Sequence, residues 1–171
     1  QGAGGMKTHS PKVIDFINKI CKENDILLIL DEIATGFGRT GSMFALEQTN
    51  TVPDIVCLGK ALTGGTISLA ATVASNSVFN QFLNKKESFA LMHGPTYMAN
   101  PLACSAANAS LDIFENENRL KQVKNIELFL KKNLYNNINI KEVKEIRVKG
   151  AMGVIEMYNL CLDDINWLKN N

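Results

Sequence analysis

The sequence predicts an α/β protein: a mainly parallel sheet with flanking helices, followed by the start of a small α+β unit. Three observations carry this. Short continuous apolar runs, Ile26-Leu-Leu-Ile-Leu30 and Ile55-Val-Cys-Leu58, have the look of strands buried on both faces of a parallel sheet. Stretches of helical period alternate with them, as a layered α/β architecture requires. Beyond the Asn-rich stretch near 137–142 the pattern changes to two strand-like runs about Gly150. This divides the chain into a larger unit, 1–138, and the beginning of a second, 139–171.

The elements follow in order. Residues 1–9 are Gly-rich and read as a loop. Ser10-Pro11 supplies an N-cap and a first-turn proline, and Val13, Ile14, Phe16, Ile17, Ile20 and Cys21 recur at helical spacing, so 11–23 is an amphipathic helix. Asn24-Asp25 ends it, and 26–31 is a strand. A Gly/Thr loop spans 32–42, with a short helix at 43–48. Pro53 precedes a strand at 54–58, Gly64-Gly65 turns the chain, 67–75 is a third strand and 76–84 a helix. His93-Gly-Pro-Thr96 is a loop. Asn100-Pro101 starts a helix at 101–116, rich in Ala and Ser. Another helix, 117–136, puts Leu120, Val123, Ile126, Leu130 and Leu134 on one face. Strands at 142–149 and 151–157 close the reading.

The 171 residues suffice for one domain with a sizeable core, and 46% hydrophobic with 20% charged residues is ordinary for a soluble protein. A net charge of +1, without a basic patch interleaved with aromatics, argues against nucleic acid as a partner. No apolar run approaches membrane-spanning length, and the first residues do not have the pattern of a signal peptide. Cys21, Cys57, Cys104 and Cys161 are far apart in apolar contexts. They read as buried, reduced thiols of a cytoplasmic protein, with no metal-ligand spacing.

The chemistry-bearing residues sit where two strands end. Asp31 closes the first apolar run, and Lys60 follows the second in Cys57-Leu-Gly-Lys60-Ala-Leu-Thr-Gly-Gly65. Alone, either has a bland reading: Asp31 as a loop or cap residue, Lys60 as one more solvated lysine. Together they fit better, because ligands of α/β sheets gather outside strand carboxyl ends. An acid and a lysine placed so are what pyridoxal phosphate requires: the lysine forms a Schiff base and the acid pairs with the pyridinium nitrogen. A lysine partly buried in this apolar context is a nucleophile, and once released it can move a proton. Gly94, Pro95 and Thr96 offer a backbone amide and a hydroxyl suited to a phosphate oxygen, or form a plain turn before a helix. His93, Glu32 and Arg39 read as structural, with Glu32 and Arg39 open to pairing.

Asp31-Glu-Ile-Ala-Thr-Gly-Phe-Gly-Arg-Thr-Gly41 and Pro53-Asp-Ile-Val-Cys-Leu-Gly-Lys60 resemble the class III, fold-type I pyridoxal-phosphate aminotransferases, including the 29-residue interval from acid to lysine. The similarity covers essentially the whole chain. It is strongest at 1–6, 26–72 and 91–113 and weak after about 117. The resemblance implies that Lys60 carries the cofactor and contacts substrate, and that Asp31 pairs with the pyridine nitrogen. It further implies that Gly94 lines the substrate site, while Pro95 and Thr96 contact the cofactor phosphate across a homodimer interface. No metal is implied. Ala34 stands where many class III enzymes carry Gln. With Lys60–Thr66 and Met92–Cys104, it is similar to the branch that moves an amino group from S-adenosylmethionine to 8-amino-7-oxononanoate in biotin synthesis. The alternatives are an ω-aminotransferase of acetylornithine or 4-aminobutyrate type, or a noncatalytic remnant.

Enzymes of this family are much longer. The first residue here is Gln, and 161–171 reads as a helix cut short. The phosphate-binding Gly-Ser turn, the ring-stacking aromatic and the carboxylate-binding arginine of the family have no counterpart in the chain. Catalysis needs groups held within about half an ångström of productive geometry. The chain by itself is therefore expected to show little or no transaminase activity, and to expose apolar faces that aggregate.

Overall fold

The computed structural model describes residues 2–83 and 90–158. The expected end of the helix at 84, Cys161 and the terminal stretch 161–171 lie outside the described residues. Helix α1 spans Pro11–Glu23, with proline in its first turn. Ser10 occupies the N-cap position in extended backbone, but its hydroxyl makes no cap hydrogen bond. The chain leaves α1 when Ile26 N donates to Cys21 O, at 2.8 Å.

Strand β1 (Ile29–Asp31) is shorter than the apolar run. Leu28 is held differently: its N–H donates to Asp54 Oδ2 at 2.8 Å, while its carbonyl accepts from Asp54 N and Ile55 N. Strand β2 (Ile55–Leu58) lies parallel to β1, pairing Asp31 with Cys57. Strand β3 (Ala71–Ala74) runs antiparallel to β2, so this sheet is mixed, in the order β1-β2-β3. β3 starts later than the apolar alternation from 67, because Ile67 O accepts from Thr63 Oγ1 and curls the chain back onto the preceding turn. Burial also departs from the expectation. Ile29 is 55% exposed, and α1 buries no residue completely, since these faces have no covering layer among the described residues.

Helix α2 spans Asn76–Gln81, and Ser75 Oγ caps it by accepting from Val78 N. Helix α3 (Pro101–Asn116) starts as its sequence dictates: Asn100 Oδ1 accepts from Leu102 N and Ala103 N. Its small residues Ala103, Ala107 and Ser110 are buried, and they let α3 approach the Lys60–Thr63 turn closely. Phe37, Leu62 and Ala107 form the core there, with Phe44, Leu58 and Phe114 packed around them. Phe37 meets Phe44 edge to face at 5.4 Å between ring centres.

Helix α4 spans Arg119–Leu134. The hairpin of β4 (Val143–Lys149) and β5 (Met152–Met157) follows, turning at Gly150 and packing on α4. Gly153 faces Leu130 and Leu134, two positions of the apolar face expected for α4. The cysteines Cys21, Cys57 and Cys104 are free thiols, as expected, but half-buried instead of buried, because each sits on an element with one uncovered side.

Candidate active site

Asp31 ends β1, and Lys60 lies just past the end of the neighbouring parallel strand. Parallel pairing therefore delivers both side chains to one edge of the sheet. Both line a single cleft of about 1020 Å³. Lys60 also borders a second hollow of about 650 Å³, formed by the Thr63–Ala70 turn.

The backbone at Lys60 is unusual. Its φ is +48°, in the left-handed region that a residue with a β-carbon occupies at a cost of about 1 kcal/mol. The surroundings hold it there. Gly59 precedes it in extended backbone, where a Cβ would press on Ile33 Cγ2 at 3.3 Å. After it, Leu62 N donates to Gly59 O, Gly64 N to Ala61 O, and Thr66 Oγ1 to Thr63 O. Thr63 is only 2% exposed, and Ser110 Oγ of α3 donates to Ala61 O. Strain kept by an over-determined turn is a mark of functional positions. One expectation is corrected: Lys60 is exposed at the cleft, not partly buried, because this turn lifts it clear of the apolar strand before it.

Asp31 is exposed too, and its Oδ1 accepts from Ile33 N at 2.9 Å, which fixes the carboxylate beside the loop that follows. Glu32 points the other way. It is 3% exposed, with one oxygen accepting from Leu46 N at 2.7 Å and the other from the Thr35 hydroxyl. Its carboxylate therefore folds the 33–46 loop and is not paired with Arg39. That agrees with a structural reading of Glu32.

Gly94, Pro95 and Thr96 lie on an exposed loop, closed by Met98 N donating to Pro95 O at 2.9 Å. They are not among the walls of the cleft that holds Asp31 and Lys60. The structure thus brings together two of the five site residues read from the sequence and sets the other three apart. The sequence reading also missed part of the cleft wall. Gly2, Met6 and His9 line it, as do Glu145, Arg147 and Lys149 of β4. The Gly-rich opening signalled only a loop, and nothing local to β4 signalled that its charged face would meet it. Among the described residues, no group of three or more His, Cys, Asp or Glu side chains is placed to hold a metal, and no helix is long and apolar enough to cross a membrane.

The amine and carboxylate at one sheet edge fit a pyridine aldehyde: one group can hold the aldehyde carbon and the other the ring nitrogen. The chain is 49% identical over 173 aligned positions to the adenosylmethionine-8-amino-7-oxononanoate aminotransferase of Buchnera aphidicola subsp. Schizaphis graminum, covering 99% of this chain and 40% of that protein. It is 50% identical to the enzyme of the same name from Corynebacterium glutamicum, over 92% of this chain and 37% of that one. The chain thus spans about two fifths of the length of the curated relatives it matches. Among solved structures, a Bacillus anthracis aminotransferase superposes with a TM-score of 0.90 at 30% identity, covering 98% of this chain and 39% of its own. The adenosylmethionine-8-amino-7-oxononanoate aminotransferase of Methanocaldococcus jannaschii superposes with a TM-score of 0.82 at 44% identity, covering 90% and 36%. The family model for class III aminotransferases matches residues 1–163, and the chain belongs to that family.

Proposed function

We propose that this chain is the lysine-bearing core of a cytoplasmic, homodimeric aminotransferase of biotin synthesis, moving an amino group from S-adenosylmethionine to 8-amino-7-oxononanoate. The observation that carries the proposal is the pair Asp31 and Lys60, side by side at the carboxyl ends of two parallel strands and lining one cleft. Identity near 49% to relatives named for this activity supports the choice of substrates. Pyridoxal phosphate, when bound, supplies an electron-withdrawing ring that stabilises negative charge at the substrate carbon. Lys60 would hold the cofactor through its amine and, once the substrate amine had displaced it, would be free to move a proton at that carbon. Asp31 would hold the ring nitrogen in its protonated form by placing a negative charge against it. Gly94 lines the substrate side, and Pro95 and Thr96 reach the phosphate held by the partner subunit. Their exposure, away from their own cleft, supports that division of labour. Residues 1–138 belong to the large domain and 139–171 begin the small one.

The test is a chimera in which this chain replaces the matching stretch of the Schizaphis graminum relative. Production of 7,8-diaminononanoate from the two substrates supports the proposal. Preference for acetylornithine or 4-aminobutyrate, or no turnover at all, overturns it. In the active chimera Asp31→Ala is expected to lower turnover about a hundred- to a thousandfold, the usual effect of removing one aimed electrostatic group. Activity within a few fold of the parent would remove Asp31 from the mechanism.

A further inference from the structure

The cleft wall missed by the sequence reading includes an arginine with three partners. Arg147 lies on β4, and its guanidinium reaches three places. Nη1 donates to Glu156 Oε2 on β5 at 2.7 Å, and it also contacts Glu145 on its own strand. Nη2 crosses to the Gly-rich opening of the chain and donates to Gly5 O at 3.1 Å. Glu156 is itself gripped from the other side by Lys144 at 2.6 Å. The bonds from Lys144 and Arg147 hold the Glu156 carboxyl down to about 2, so it stays an anion and keeps the guanidinium oriented. The arginine side chain is 19% exposed.

The turn that Arg147 reaches needs holding. Gly5 and Met6 have φ of +91° and +52°, and the turn is closed by Met6 N donating to Gly2 O at 2.9 Å. Residues 2–6 are exposed. Yet Gly2 and Met6 line the same cleft as β4, Asp31 and Lys60. One guanidinium therefore joins two segments that line the cleft.

We propose that Arg147 is a positioning residue of the amino-transfer site: it ties the Gly2–Met6 turn to the β4-β5 hairpin and so shapes the cleft around Lys60. The proposal rests on the functional reading above for what the cleft binds. The planar fork matters here, because separate nitrogens serve Glu156 and Gly5 at once. A lysine at 147 retains an ion pair with Glu156 but has no second nitrogen for Gly5 O. A merely structural role in the hairpin would be rescued by lysine. A tie to the turn would not.

The experiment uses the chimera described above, with the 171-residue stretch as wild type, Arg147→Ala or Arg147→Lys. Peptide-resolved hydrogen exchange reads the turn, and borohydride labelling with pyridoxal phosphate reads the cleft, with Lys60→Ala as the blank. Both variants are expected to exchange the amides of 2–8 about tenfold faster than wild type while α3 is unchanged. In both, the concentration of pyridoxal phosphate for half-labelling of Lys60 should rise about tenfold, the size of one lost hydrogen bond to a charged group. Exchange at 2–8 equal to wild type, or already unprotected in wild type, overturns the tie. Faster exchange with unchanged labelling, or rescue of both readouts by lysine, overturns the positioning role. Absence of specific labelling in wild type overturns the functional reading and the positioning role resting on it, whereas the exchange result still decides the tie.

Discussion

Lys60→Ala is expected to abolish borohydride-stable capture of pyridoxal phosphate and to lower turnover in the active chimera on the order of ten-thousandfold, because the proposed function gives one side chain both the hold on the cofactor and the proton transfer. Alanine is a clean choice at this position. It retains a β-carbon, so the left-handed backbone at φ +48° is asked of both residues and the turn is preserved. The folding contacts of the turn do not involve the lysine amine: they come from Gly59 O, Ala61 O, the Thr63 and Thr66 hydroxyls and Ser110 of α3. Lys60→Ala should therefore melt within about half a kilocalorie per mole of wild type, as exposed substitutions away from such contacts do. Mass spectrometry of the reduced, digested protein checks the first effect, and a steady-state assay checks the second. Labelling that persists in the variant would place the reactive amine elsewhere. A companion variant, Lys60→Arg, keeps the charge but cannot form the covalent link. It should behave as alanine does, and recovery with arginine would reduce Lys60 to an electrostatic contact.

Much of this site was legible because its logic is local. Two apolar runs, each ended by a chemistry-bearing residue, sufficed to place Asp31 and Lys60 at strand ends, and the parallel pairing of Asp31 with Cys57 then made them neighbours. Helix α3 was legible to the residue, since Asn100-Pro101 dictates both its cap and its first turn. What escaped was set by partners distant in sequence. The apolar run from Ile26 reads as a full strand, but Asp54, 26 residues away, takes the Leu28 amide with its side chain and shortens the ladder. The direction of β3 was hidden as well, because alternation reports a strand without reporting its orientation. The left-handed backbone of Lys60 leaves no trace in composition, since lysine is not a residue that turns favour. Arg147 had no reading of its own in the sequence, because its partner Gly5 lies far off in the chain.

Gly150→Ala shows how far such a distant contact reaches. The residue was read as the turn between two strands, a role that Asn or Asp could also fill. Its φ of +56° agrees with that and costs a non-glycine about 1 kcal/mol. The larger demand comes from the loop that follows Asp31. A Cβ on residue 150 would lie 2.4 Å from Gly41 N, 2.5 Å from the Thr40 carbonyl carbon and 2.7 Å from Arg39 O. All three are backbone atoms, so no side chain can swing aside. The next residue is committed to the same loop, with Ala151 N donating to Arg39 O at 3.1 Å. An added methyl must therefore push the hairpin off the loop, at a further cost of about 2 kcal/mol, typical of overpacking. A loss of about 3 kcal/mol in a chain of this size lowers the melting temperature by roughly 6–12 °C. Thermal unfolding followed by circular dichroism reads it. Gly64→Ala is the control: its φ of +61° imposes similar backbone strain, but its Cβ would meet nothing nearer than Ser110 Oγ at 3.8 Å. Equal melting of the two variants would mean that only the turn geometry matters. A deeper loss at 150 would show that the hairpin and the loop beyond Asp31 are one packed unit. The sheet edge that carries the acid is then supported by a strand pair more than a hundred residues downstream.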